Sequence, residues 1–270
     1  QLALQDAGSD YLVLKAQLDK LEKIIPERQA TWETAMQKTN RWLPVEIVSA
    51  ETDKEAKLEL QEDGSLLATG KNEIATYTVK LRTDLTNITA FRLETLVDDR
   101  LPAKGPGRPP NGNFVVSEFG VSIQNTNGEG EAQKIKLVSP SATFNQGGYS
   151  VAMAIDGNPN TGWAISPEVG KNQTAVFQTD GQVGFEGGVL LTVTIVNNHS
   201  DNMHQLGKFR ISVSDSPRPV TLNTLPADLV TLLKTPSENR SEEQKATLRT
   251  KYLETDREYT DMLAIVAAAK

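Results

Sequence analysis

The chain has 270 residues, a formal net charge of −7 and no cysteine, with 38% hydrophobic and 23% charged residues. That length allows one substantial core plus appendages. The acidic balance lacks the basic stripe a nucleic-acid partner needs, and the absence of cysteine excludes disulfides, zinc–thiolate sites, a covalently attached haem and a cysteine nucleophile. No basic segment with an apolar core follows Gln1, so neither a signal peptide nor a membrane insertion is expected, and the chain reads as excised from a longer one.

At the N-terminus, Leu4, Tyr11, Leu14, Leu18, Leu21, Ile25 and Trp32 recur at alternating spacings of three and four, which predicts a helix with a narrow apolar stripe. Ser9 and Asp10 are suited to cap it, and Pro26 is suited to kink or divide it. From Trp42 to Ser214 the pattern changes to short alternating runs broken by polar turns such as Asp63-Gly64 and Asn127-Gly128. Strands are expected at 42–49, 57–60, 65–69, 75–81, 89–96, 113–124, 133–138, 174–178, 188–196 and 208–214. So many strands without helical crossovers point to a mainly β fold, an antiparallel jelly-roll sandwich.

Beyond the strands, a proline-led segment at 226–233 predicts a short helix. Ser241-Glu242-Glu243-Gln244 is a capping box, followed by Leu248, Tyr252, Tyr259, Met262 and Val266 at heptad-like spacing. The organisation expected is an N-terminal helical arm (1–40), a β-sandwich (41–220) and a C-terminal helical arm (221–270). The two stripes either pair as an antiparallel coiled coil or pack separately on neighbouring domains.

The densest motif is Ala154-Ile155-Asp156-Gly157-Asn158-Pro159-Asn160-Thr161-Gly162-Trp163. Gly157 supports a left-handed φ, Pro159 fixes a turn position, and Asp156 and Asn158 can bond their own backbone. With Ser141, Thr143, Asn145 and the Gly147-Gly148-Tyr149 turn upstream, residues 136–214 resemble the discoidin-like, or galactose-binding-like, β-sandwich domains. The resemblance implies calcium held at Asp156 and Thr161. The alternative is that Asp156 closes an Asx turn, and residues 209–215 offer no clear counterpart of the acid that family members often contribute from the last strand. Trp163 occupies the position that packs between the sheets.

Residues 101–119, with Gly105-Pro106-Gly107-Arg108 before Asn111-Gly112-Asn113-Phe114, resemble the spacer region of large planctomycete-type multidomain proteins that carry a cytochrome c-like domain. Further matches are residues 88–94, 162–165 and 204–212. The resemblance implies a periplasmic, cell-envelope or secreted setting, flanking domains of the same polypeptide as partners, and haem and enzymatic domains outside this chain. Residues 105–113 read as a stiff exposed loop. Arg108 would then present donors to a carboxylate, a sulfate or a partner, or would pair with Glu118 or another internal acid.

Catalytic patterns fail. Gly64 to Lys71 has one residue too many between its glycines for a phosphate loop, and no Gly-x-Ser-x-Gly elbow is present. His199 and His204, without cysteine or an ordered acidic ligand, read as solvated loop residues rather than transition-metal ligands. Glu94, Asp98, Asp99 and Glu118 supply acids whose separation the sequence does not show.

The expectation is a non-catalytic carbohydrate-binding module, its polysaccharide or oligosaccharide held by end loops through Tyr149, Phe144, Arg108, Asn111 and His204. The alternative is a structural spacer linking flanking domains.

Overall fold

The computed structural model describes residues 2–37, 41–126, 130–222 and 227–269. Its contacts divide the chain into two compact units: Asn40–Thr224, and a second built from Gln1–Thr39 with Leu225–Lys270. The Asn127-Gly128 turn and Pro226 lie outside the described residues.

The first unit is antiparallel β throughout its pairings. One sheet runs β3 (Ala56–Leu60), β4 (Leu66–Gly70), β12 (Lys208–Ser214), β6 (Ile88–Thr95), β10 (Gln173–Val183), β9 (Leu137–Ala142), with the short β1 (Leu43–Pro44) also paired to β12. The other runs β2 (Glu46–Thr52), β5 (Ala75–Thr83), β11 (Val189–Asn197), β7 (Glu118–Asn125), β8 (Gln133–Lys134). Strand β11 shows why the sequence chooses this state. Its alternate residues Val189, Leu191, Val193 and Ile195 are fully buried while the residues between them are partly exposed, the period-two signature of a sheet with one wet face. These residues share a single core with Phe91, Leu93, Phe177, Phe209 and Val213 of the first sheet. Phe119 stacks on Phe177 with ring centroids 4.5 Å apart.

Strand β6 lacks the alternation over Ile88, Thr89, Ala90 and Phe91, where both its faces are covered. On the side away from the shared core, Ala90 and Val176 pack with Val220, Trp42 and Leu222. Arg92 lies over the Trp42 ring at 5.1 Å.

Two expected strands are corrected. Residues 113–117 are not strand: Phe114, Val115 and Val116 are buried, but Asn113 Oδ1 accepts from the Ile165 amide at 3.0 Å and Val116 pairs with Trp163 as an isolated bridge. The apolar run signals core, not a ladder. The expected strand at 133–138 is two. Strand β8 pairs with β7 and β9 pairs with β10, so the chain changes sheets between Lys134 and Leu137.

Residues 105–113 are corrected as well, being mostly buried rather than an exposed loop. A Cβ on Gly107 would stand 1.6 Å from the Asn113 carbonyl oxygen, so glycine permits a backbone approach that no side chain would.

In the helical unit, α1 (Leu2–Gln37) runs uninterrupted through Pro26 and already includes Ser9 and Asp10, so neither residue begins it. It is followed by α2 (Ala227–Lys234), α3 (Glu242–Thr255) and α4 (Arg257–Ala268). The capping box at Ser241 is present, with Ser241 Oγ accepting from the Gln244 amide and Gln244 Oε1 from the Ser241 amide. The continuous C-terminal stripe is broken at Asp256, whose φ of −85° and ψ of 89° end α3 and whose carboxylate caps α4. Leu18, Ile25, Leu248 and Tyr252 are buried, Trp32 packs on Tyr252, and Arg240 donates to Glu33 at 2.5 Å.

Candidate functional site

The connection from β11 to β12, residues 198–207, gathers most of the residues singled out in the sequence. Both its ends are tied down. Asn198 takes a hydrogen bond from Ser117 Oγ and donates to it through its amide at 3.1 Å, while the His204 carbonyl accepts from the Val115 amide at 2.8 Å. Asn202, at a φ of 63°, carries the turn between them.

Within this loop Asp201 stands between two imidazoles. Its Oδ1 is 2.9 Å from His199 Nδ1 and its Oδ2 is 2.5 Å from His204 Nδ1. His204 Nδ1 is buried against Asp201 Oδ2. The two rings lie 4.6 Å apart at 60°. Oδ1 also accepts from the Met203 amide at 3.0 Å. Burial works to raise the Asp201 pKa, but the His199 and Met203 hydrogen bonds and the two nearby imidazoles bring it down to about 2.

Asn111 and Tyr149 border the same cluster. Asn111 Nδ2 is 3.3 Å from His204 Nε2, and the half-buried Tyr149 ring lies 6.3 Å from that of His199. Arg108 is beside them, but its guanidinium is engaged with backbone: Nη1 donates to the Lys71 carbonyl at 2.9 Å and Nη2 to the Gly70 carbonyl at 2.5 Å. Nη1 also reaches Gln205 Oε1 at 3.3 Å. Arg108 is thus an anchor, and carbonyls take the place of the internal acid expected for it. Phe144 packs partly buried against the core, where its carbonyl accepts from Trp163 Nε1 at 2.9 Å. Trp163 itself is fully buried, as a core residue.

Asp156 and Thr161 meet in a second loop. Asp156 Oδ1 accepts from the Asn158 amide at 2.8 Å, closing an Asx turn, and Oδ2 accepts from Thr161 Oγ1 at 2.8 Å. Strand β12 carries no acidic residue, and the acid that faces Asp156 is Glu118 on β7. Burial and the Asp156 charge raise the Glu118 pKa, and Glu118 Oε1 is buried without a hydrogen-bond partner. A groove of about 360 Å³ opens beside the pair, lined by Glu118, Lys134, Lys136, Leu137, Ile155 and Gly157 among others. No local signal in the sequence connects Glu118 to Asp156, because the two stand on separate elements that meet only in the fold.

Comparison with protein-family models, with curated proteins and with solved structures finds no match. Among the described residues, no helix is long and apolar enough to cross a membrane.

Proposed function

We propose that this chain is a non-catalytic carbohydrate-binding module, built on a galactose-binding-like jelly roll and belonging to a larger periplasmic or cell-envelope protein. The observation that carries this reading is the convergence of Tyr149, Asn111, His199 and His204 around one loop cluster. An aromatic face beside amide and imidazole donors is the combination a sugar ring requires. Arg108 supports the site by holding residues 105–113 in place. Retention of the purified chain on neutral and sulfated polysaccharides tests the reading; Tyr149→Ala should weaken retention several-fold with the fold intact. No retention of the unaltered chain on any of them would overturn it.

Calcium at Asp156 is part of the same proposal. Two carboxylates and the Thr161 hydroxyl supply the hard oxygen donors that ion takes, and the unpaired Glu118 oxygen fits a cation that would relieve the repulsion between the two acids. Calcium there would stabilise the fold by mass action.

A second reading is a spacer that links flanking domains, with helices α1 and α4 paired as a coiled coil. What favours it is the helical unit's exposed apolar surface, with Leu12 at 65%, Val13 at 54%, Leu263 at 46% and Ile265 at 49% exposure. Flanking domains of the same polypeptide would then be its partners.

A further inference from the structure

We propose that His199, Asp201 and His204 form a binding site for one divalent transition-metal ion of the zinc, cobalt or copper kind. It draws on the same two imidazoles as the proposed glycan cluster but requires neither a glycan nor calcium at Asp156. It reverses the expectation that the two histidines are merely solvated loop residues, because the acidic ligand that reading lacked is Asp201, placed between them.

The first argument is chemical. Two imidazoles and one carboxylate make an N₂O donor set, which suits borderline cations, whereas calcium and magnesium require oxygen-rich sites. The second is geometric. One candidate ligand atom from each residue lies within 4.8 Å of the others. Ligand atoms on a tetrahedral zinc ion stand roughly 3.3 Å apart, so the widest pair has to close by no more than about 1.5 Å. The third is preorganisation. The loop is held by the bonds from Ser117 and Val115, and also by Asn72 Nδ2 donating to the Met203 carbonyl at 2.9 Å, so little ordering remains for the ion to impose. His204 Nδ1, buried 2.5 Å from Asp201 Oδ2, is the donor such an ion would engage.

Asn111 completes the account. Its Oδ1 accepts from the Asn113 amide at 3.0 Å, so Nδ2 is the atom that faces His204 and it donates to Nε2. The ring proton therefore sits on Nδ1 in the ion-free chain. An ion at Nδ1 takes that position, the proton moves to Nε2, and the Asn111 amide turns to accept it through Oδ1, giving up its bond from Asn113. Three protein ligands leave at least one coordination position open to water or another donor. Open positions make this a site able to bind a further ligand.

The test is titration of the tag-free full chain with Zn²⁺ by calorimetry and with Co²⁺ by visible absorption. One ion per chain is expected, with a rise in melting temperature and a visible Co²⁺ band that Zn²⁺ removes. His199→Ala, Asp201→Asn and His204→Ala should each weaken binding at least tenfold with an unchanged circular dichroism spectrum. Should His204→Ala fail to fold, the other two decide, since their side chains are more exposed, at 24% and 39%. Absence of saturable binding by the unaltered chain, or binding that survives both His199→Ala and Asp201→Asn, overturns the proposal.

Discussion

Arg28 Nη2 donates to Asp256 Oδ1 at 2.9 Å, joining the first helix to the break between the last two across 228 residues of sequence. Asp256 does three things there: it accepts from Arg28, from the Tyr252 hydroxyl and from the Tyr259 amide at the start of α4. Asp256→Ala should therefore lower the stability of the helical unit by about 2–3 kcal/mol, from a lost cap and a buried hydroxyl left without its acceptor. Arg28→Met should cost less, because partly exposed ion pairs contribute little. Urea denaturation followed by circular dichroism checks the order, and equal losses would refute it.

Gly107→Ala should destabilise the β unit by about 3 kcal/mol or more, since the new methyl would collide with the Asn113 carbonyl. Backbone, unlike the end of a flexible side chain, has little room to yield. Gly147→Ala serves as the control, having open space around it. A thermal melt of both variants decides, and a neutral Gly107→Ala would mean that this crossing is looser than described.

Asp98 accepts from Arg100 Nε and Nη2 at 2.7 Å each and from Lys208 Nζ at 3.1 Å. The Arg100 hydrogen bonds, acting against burial and joined by Lys208, hold its carboxyl well below the usual carboxylate range. A folded pKa below the unfolded value contributes stability that is present above about pH 4 and lost as pH falls through the folded pKa. Asp98→Asn should lower stability at pH 7 and flatten its decline between pH 4 and pH 2. Urea midpoints at pH 7, 4 and 2 measure both effects, and a parallel decline in the variant would contradict the assignment.

Glu118→Gln should raise the melting temperature in chelator, because it removes a desolvated charge facing Asp156. The same substitution should abolish the rise that calcium gives the unaltered chain. A calcium response that survives both Glu118→Gln and Asp156→Asn would remove the ion from that loop.

The strands were the most legible part of the chain, because alternation is a local property that needs no knowledge of partners. Each of the ten expected runs contains at least one strand of the structure. The exceptions have tertiary causes. Residues 113–117 are apolar because they are buried, yet their backbone bonds go to Trp163, Val196 and His204 rather than to a continuous ladder. The pair β8 and β9 reads as one strand because nothing local marks the change of sheet.

What the sequence alone determined is therefore the mainly β character between two helical ends, the capping box at Ser241 and the Asx turn at Asp156, each set by residues within a few positions of one another. Tertiary structure decided which side chains share a site. It turned Arg108 toward the Gly70 and Lys71 carbonyls, brought Asn111 to His204 across 93 residues, and set Glu118 against Asp156. The physical reason is that propensity, capping and alternation act over a few residues, whereas a site is assembled by strand order and loop anchoring. Those depend on which buried faces meet, and no single segment carries that information.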